Sequence, residues 1–264
     1  RLGYGVSGNA LGFGAYSAYT LFGLDSASSF TYNGITYSKI NATQNGNPDL
    51  KWETTKMFNV GVDFAFLNSR LSGSIEFYSK KTSDLIWGYD VSTNIYPVGT
   101  MQANVGDITN TGIEVTINAV PVKTKDFTWQ TTLNLAHNKN KVNKLSNTKY
   151  SVEYKDWGDP NIAGISSNGE VQRIMEGESL GTFWTYEWAG YNEQGQSTFW
   201  VHDPETGERT GEKTTEPTKS DKTKVGCALP KLTYGWNNTL NYKKWSLTAF
   251  FQGNIGNKIM NATK

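Results

Sequence analysis

Apolar and polar residues alternate with a period of two along most of this chain. Phe58, Val60, Val62, Phe64 and Phe66 share one face of residues 57–67, and Asn59, Gly61, Asp63 and Ala65 share the other. A strand sends successive side chains to opposite sides, so this pattern predicts a strand with one apolar and one polar face. Asn68-Ser69 breaks the run. Leu71, Gly73, Ile75 and Phe77 then oppose Ser72, Ser74, Glu76 and Tyr78, which reads as the second arm of a hairpin. Ile113, Val115, Ile117 and Ala119 alternate with Gly112, Glu114, Thr116 and Asn118, and Pro121 is expected to end that strand. Phe127, Trp129, Leu133 and Leu135 alternate with Thr128, Gln130, Thr132 and Asn134. Leu232, Tyr234, Trp236, Leu240 and Tyr242 oppose Thr233, Gly235, Asn237, Thr239 and Asn241. Lys243-Lys244 turns the chain into Trp245, Leu247, Ala249 and Phe251.

Half-buried strands of a soluble sandwich alternate too. The breaks decide between the two. Those near 68, 122–125 and 243 are very short; those near 9–51, 87–100 and 139–230 are long, and the two kinds take turns. All short turns therefore fall at one end of the sheet and all long loops at the other, as in transmembrane β-barrels. The runs also exceed the ~5–6 residues of soluble strands and reach the ~9–11 needed to cross a bilayer. The expected fold class is all-β, an antiparallel transmembrane β-barrel with one domain over 1–264. Seven crossings are expected, near 1–8, 52–67, 69–86, 101–120, 126–139, 231–243 and 245–257. Residues 181–190, with 196–202, read as an extracellular hairpin; two further crossings joined at Asn192–Gly195 also satisfy the parity. An open sheet would leave edge groups unpaired in lipid, so the expectation is a portion of a larger barrel. Trp52, Trp87, Trp129, Tyr242 and Trp245 fall near strand ends, where interfacial aromatic girdles sit.

Composition excludes other classes. Aromatics make up 13% of the chain, far more than a disordered segment carries. No apolar run approaches the ~18 residues of a membrane helix. Net charge is +1 with no basic block, so no nucleic-acid partner is expected. Cys227, the single cysteine, can form no internal disulfide.

No catalytic constellation emerges, and no catalytic residue, metal or cofactor is expected. His137, read at a strand end, and His202, read in a loop, have no second ligand at metal spacing. Gly207–Lys213 lacks phosphate-loop spacing and reads as a turn, as does Asp203–Gly207. Glu153, Asp156, Asp159 and Glu170 read as a solvated loop surface, and Asn41 and Asn261 as chance glycosylation sequons. The long loops do hold aromatics, among them Trp157, Trp184, Tyr186, Trp188 and Trp200. Rings beside Asn and Asp suit recognition of a sugar-like or apolar ligand; the alternative is that they pack loops together or against a partner. The polar residues Asp63, Glu76, Glu114, Gln130, Asn134, Asn237 and Asn241 are expected to face the lumen.

Several segments, taken in order, resemble SusC-like (SusC/RagA) TonB-linked outer-membrane transporters. Asn47-Pro48-Asp49-Leu50-Lys51-Trp52-Glu53 is similar to the family's NPDLKWE signature, and Tyr78–Ile86 to its following rising strand. Asn104-Val105-Gly106-Asp107 with Asn110–Glu114, then Asn138–Val142, Glu176-Gly177-Glu178-Ser179-Leu180-Gly181-Thr182-Phe183, and Pro230–Gly235 through Phe250–Gly253 follow in the family's order. The resemblance implies a barrel of about 22 strands closed by an N-terminal plug, of which this chain is part of the C-terminal half without the plug. It also implies import of a glycan or peptide driven through TonB, and a SusD-like surface lipoprotein as partner. TonB would be met through a segment not in this chain. The remaining alternatives are a secreted all-β carbohydrate-binding module and a barrel receptor for a metal chelate or vitamin. Cell fractionation separates the first of these from a barrel. A barrel piece sediments with outer membranes and needs detergent, whereas a module is a freely soluble monomer.

Overall fold

The computed structural model describes residues 1–10, 14–158, 169–204 and 206–261, with the backbone alone at Ser26 and Ala27. Sixteen strands in chain order form four antiparallel sheets among these residues. The main sheet has the order β1 (Leu2–Asn9), β4 (Glu53–Phe66), β5 (Leu71–Asp90), β6 (Thr100–Lys123), β7 (Phe127–Lys144), β15 (Leu232–Tyr242) and β16 (Trp245–Ile255). A hairpin, β2 (Leu21–Tyr32) and β3 (Ile35–Gln44), fills the connection from β1 to β4. The connection from β7 to β15 carries two small sheets. One is β14 (Lys222–Cys227), β10 (Thr182–Tyr186), β9 (Gln172–Met175) and β8 (Tyr154–Trp157) in that order; the other is β11 (Trp188–Tyr191), β12 (Ser197–His202) and β13 (Arg209–Thr214).

Register sorts the main sheet into two faces. Val62, Ile75, Val115, Leu135 and Tyr234 lie side by side across five strands, and Phe64, Gly73, Ile117, Leu133, Trp236 and Phe251 form the next row. Leu240, Leu247 and Trp129, then Tyr242, Trp245 and Phe127, complete this apolar face at the short-turn end. These side chains are largely exposed: Val62 at 62%, Leu247 at 61% and Trp245 at 80%. Leu232 to Tyr242 would rise ~33 Å along a strand, or ~25 Å at a tilt of ~40°, the height of an outer-membrane apolar band. Asn238 interrupts the face, and Trp129 Nε1 donates to its Oδ1 at 3.1 Å. On the apolar face, Gly73 and Gly253 accommodate neighbouring rings. An added Cβ would lie 2.8 Å from Phe64 at Gly73 and 2.7 Å from Tyr234 at Gly253.

Several expectations need correction. The strands overrun their predicted ends: β5 reaches Asp90, β6 spans Thr100–Lys123 and β7 reaches Lys144. Pro121 does not end β6. It lies where pairing with β7 skips from Ala119 to Val122, a bulge in which no ladder N–H is needed; its carbonyl accepts from Arg70 Nη2. His137 lies within β7, its Nδ1 2.5 Å from the Lys231 carbonyl oxygen. Gly207–Lys213 is a turn only at its start, because β13 begins at Arg209. The strand expected over 181–190 is divided at Glu187, with β10 in one sheet and β11 in another. The hairpin expected between 181–190 and 196–202 exists from β11 onward. Asp159, Glu205 and the end of the Asn261 sequon lie outside the described residues.

Two bulges decide what happens above the apolar band. Between Thr82 and Leu85 one extra residue enters β5, with Asp84 at φ 60°; between Leu85 and Ile86 one extra residue enters β6. Each inserted residue reverses the alternation of its strand. Trp87, Tyr89, Met101 and Ala103, which would have continued the apolar row, turn to the opposite side. There they pack with Tyr150 and Val152. Trp87, Ile108 and Val142 meet Leu145, Ile174 and Leu180 in a second, adjoining cluster. Trp87 is thus a core residue, not part of an exterior girdle.

The segment before β4 holds these bulges. Asn104 Nδ2 donates to the Asp84 and Lys51 carbonyls, both at 2.7 Å, and its Oδ1 accepts from Lys51 N at 2.9 Å. Glu53 Oε1 accepts from Ile86 N at 3.1 Å. Asn47 Nδ2 donates to the Gln102 carbonyl at 2.8 Å, and Asn45 bonds Val98 and Thr100. Gly46 is pressed against the Tyr19–Thr20 backbone, where a Cβ would come within 2.5 Å. Asn104→Ala removes three bonds, those to the bulge carbonyl of Asp84 and to the carbonyl and N–H of Lys51. It should lower stability by about 1–3 kcal/mol, read as a lower heat-unfolding temperature of the complete barrel in detergent.

Candidate functional site

The polar face of the main sheet carries the seven residues expected to face a lumen. Glu76 stands opposite Glu114, Asp63 opposite Ser74, and Asn134 opposite Thr116. Arg1 Nη2 lies 2.8 Å from Asp63 Oδ1, and Arg1 Nη1 lies 3.7 Å from Glu76 Oε2. Asn59 Nδ2 donates to Glu76 Oε1 at 3.2 Å, and Thr116 to Asn134 Oδ1 at 3.0 Å. Gln130 is opposite Thr239, Asn237 opposite Thr132, and Asn241 opposite Thr128. Glu114, Thr116, Asn134, Thr233 and Gln252 line a trough of about 530 Å³ on this face. The wall is hydrogen-bonding, with three carboxylates of which two are held by Arg1.

The connection from β7 to β15 packs against the same face through the Val142 cluster. Its attachment is built by Glu176–Phe183. Gly177 N donates to the Val142 carbonyl and Val142 N to the Glu178 carbonyl, both at 2.8 Å, extending the β7 ladder. Leu145 N donates to Glu176 Oε1 at 2.6 Å, and Leu180 N to Asn140 Oδ1 at 2.8 Å.

The five aromatics predicted as contact residues do not form one surface. Trp184 and Tyr186 are on β10, Trp188 is on β11, Trp200 on β12 and Trp157 at the end of β8. Trp157 stands edge-on to Trp87 at 6.2 Å. Trp188 meets Tyr191 at 5.4 Å, and Lys213 lies over the Trp200 ring at 4.7 Å. Tyr186 contacts Phe199 at 5.9 Å, bridging the two small sheets. Trp184 lines a cavity of about 570 Å³ together with Tyr154, Arg173, His202 and Lys222.

Arg173 was not singled out from the sequence, although it organises this cavity. Its guanidinium carbon lies 3.5 Å from the Tyr154 ring centre and 4.5 Å from that of Trp184. It is bidentate on Asp156 at 2.7 and 3.0 Å, a planar pairing that a lysine could not reproduce. The signal was an arginine two residues before an apolar strand end, in a segment that also holds Tyr154 and Trp184. Asp156 is accordingly a paired group, not a free solvated carboxylate.

Glu187, the residue that divides the two sheets, gathers their charges. It accepts from Arg209 Nε at 2.8 Å and from Arg209 Nη2, and His202 Nε2 lies 3.3 Å from its Oε2. His202 is 4% exposed, and its Nδ1 has no hydrogen-bond partner among the described residues. The Arg209 hydrogen bond holds the Glu187 carboxyl below its ordinary range. Burial holds the Lys222 ammonium below its usual value as well. Among the described residues no three His, Cys, Asp or Glu side chains converge as metal ligands.

A meander with one broad, exposed and mostly apolar face, open at both edges among the described residues, is the wall of a membrane barrel. Comparison with known proteins places it more closely. Residues 1–254 match the family model described as TonB dependent receptor-like, beta-barrel. TonB-dependent receptor P3 of Formosa agariphila is 30% identical, covering 100% of this chain and 26% of that protein. TonB-dependent receptor SusC of Bacteroides thetaiotaomicron is 34% identical over 74% of this chain and 19% of its own length. The fold superposes on the RagAB peptide transporter with a TM-score of 0.72 at 23% identity, and on the open-open state of the RagAB peptide importer with 0.75 at 22%. Each superposition covers 97% of this chain and 26% of the other.

The chain belongs to the TonB-dependent receptor β-barrel family, and it spans about a fifth to a quarter of the length of these relatives. It is a portion of such a barrel, and the secreted-module alternative is overturned by the match.

Glu187 also yields a pH dependence. Its folded pKa lies below the ordinary value of 4.5, so the stabilisation it gives is present above that pH and is lost as pH falls through the folded value. Amide protection factors across 188–214, taken against the intrinsic exchange rate at each pH, should therefore fall on acidification below pH 4.5. Glu187→Gln should give low protection factors already at neutral pH, with little further change on acidification.

Proposed function

We propose that this chain supplies part of the wall and outer loops of an outer-membrane importer that takes up an oligosaccharide or peptide, driven through TonB and capped by a SusD-like lipoprotein. The observation that carries the reading is the reversal of the faces at the bulges. An apolar exterior for lipid gives way, at the long-loop end, to a folded insertion seated on the polar side, where it would overhang the mouth of the closed barrel. The family match supports import over catalysis. SusC among the relatives and the peptide-transporting RagAB among the fold neighbours support the two substrate classes.

In this reading Asp63, Glu76, Glu114, Gln130, Asn134, Asn237 and Asn241 line the passage or touch the plug. They do so by hydrogen bonding, and the chemistry is binding and gated passage with no bond made or broken in the substrate. Trp157, Trp188 and Trp200 stand where a ligand or lipoprotein lid would meet the loops. Trp184, stacked on Arg173, offers a ring wall beside charged and hydrogen-bonding groups, a combination suited to a sugar or a peptide. Alanine at Trp184, Trp188 and Trp200, singly, in the complete protein should each lower uptake of the cognate oligosaccharide or peptide at normal surface expression. A wall residue such as Gln130→Ala should change uptake less. Unchanged uptake in all three tryptophan variants would remove the aromatics from the binding role.

A further inference from the structure

Just beyond the apolar band, on the same face and toward the long loops, the main sheet turns basic. Lys56 on β4 stands directly opposite Lys81 on β5, Lys81 opposite Thr109 on β6, and Thr109 opposite Lys141 on β7. The row below it, adjoining the apolar band, reads Phe58, Ser79, Thr111 and Lys139. Four lysines thus share a patch four strands wide, or ~15 Å at ~4.8 Å per strand. All four are exposed. The acidic group on the patch is Asp107, 3.4 Å from Lys81. Among the described residues no ion pair is formed by Lys56, Lys139 or Lys141.

Like charges directly opposite across a ladder are unfavourable, and Lys56 faces Lys81 at a Cβ separation of ~5 Å. At a water-facing site the repulsion would be screened within ~8–10 Å. This patch borders lipid, where counterions are supplied by the headgroups. Thr109 stands between Lys81 and Lys141 in one row, and Ser79 and Thr111 beside Lys139 in the next, hydroxyls that can donate to phosphate oxygens. Immediately below stand Tyr4, Phe58 and Val60, the apolar surface that acyl chains would cover.

We infer that Lys56, Lys81, Lys139 and Lys141 form an exterior site for the phosphate headgroup of a lipid in the outward leaflet, with the lipid's chains lying against the adjoining apolar rows. The inference rests on the membrane-barrel reading above. It adds a specific lipid contact on the outside wall, separate from the passage and its loops.

The test uses the complete protein purified in neutral detergent and titrated with diphosphoryl lipid A in mixed micelles. At about 1 kcal/mol per surface lysine, each contributes roughly fivefold. The variant Lys56→Gln/Lys139→Gln/Lys141→Gln should therefore bind lipid A more weakly by on the order of a hundredfold. A charge-matched control at the short-turn end, Lys123→Gln/Lys125→Gln/Lys244→Gln, should bind like the parent protein. Equal weakening in both triple variants would reduce the effect to net charge and overturn the site. So would inorganic phosphate competing as well as lipid A does, which would make it a free-anion site. Fractionation keeps the two readings apart. Parent protein absent from the outer-membrane fraction would sink the membrane reading itself, while correct fractionation with no difference between the triple variants would sink the lipid site alone.

Discussion

A backbone in hydrocarbon has no water to turn to, so every N–H and C=O of the wall must find its partner on a neighbouring strand. That requirement fixes the rest. It makes the ladder continuous from β1 to β16, and a continuous ladder forces side chains into strict alternation. Phe64, Ile117, Leu133 and Phe251 then share a side whatever their positions in the chain. Asn238 is the exception that shows the rule. A polar amide on the apolar face keeps its oxygen bonded to the Trp129 indole, so the polar atom is covered by protein.

The bulges are the points at which this rule is used to opposite effect. One extra residue in β5 and one in β6 carry Trp87, Tyr89, Met101 and Ala103 to the other side, where the long insertion can bury them. The motif around Asn47–Glu53 is placed to hold that switch. Its backbone meets Asn104, Glu53 satisfies Ile86, and Asn47 ties down Gln102. The motif Glu176–Phe183 performs the matching task from the other side, extending the β7 ladder through Val142. The residues that most strongly mark the family are thus bonded to strand ends and bulges, and none of them lines the Arg173 cavity.

The main sheet was legible because its signal is local and periodic. Phe58 to Phe66 announces its own faces, and so does Leu232 to Tyr242. Pro121 misled because a missing N–H reads as a strand end, when a bulge can absorb it. The upper halves of β5 and β6 were missed for the same reason, since a bulge looks like lost alternation. The run 181–190 kept the period while changing sheets at Glu187, and period carries no information about which strand is the neighbour. The cavity was the least legible part. Arg173, Tyr154, Trp184 and His202 come from four separate strands, and only pairing through β8, β9 and β10 with Tyr186–Phe199 packing brings them together.

The attachment of the insertion at both ends has a kinetic meaning. Strands β7 and β15 pair along Phe127–Ala136, yet the whole segment from Leu145 to Lys231 lies between them. Closing so long a loop as free coil would cost conformational entropy before any ladder bond formed. The ties shorten it. Gly177 and Glu178 return to Val142, Ala228 N bonds the Gly181 carbonyl, and His137 Nδ1 on β7 meets the Lys231 carbonyl oxygen at the start of β15. Once the small sheets have formed, the ends of β7 and β15 are already neighbours. The insertion then behaves during folding as a short turn, although in sequence it is the longest connection in the chain.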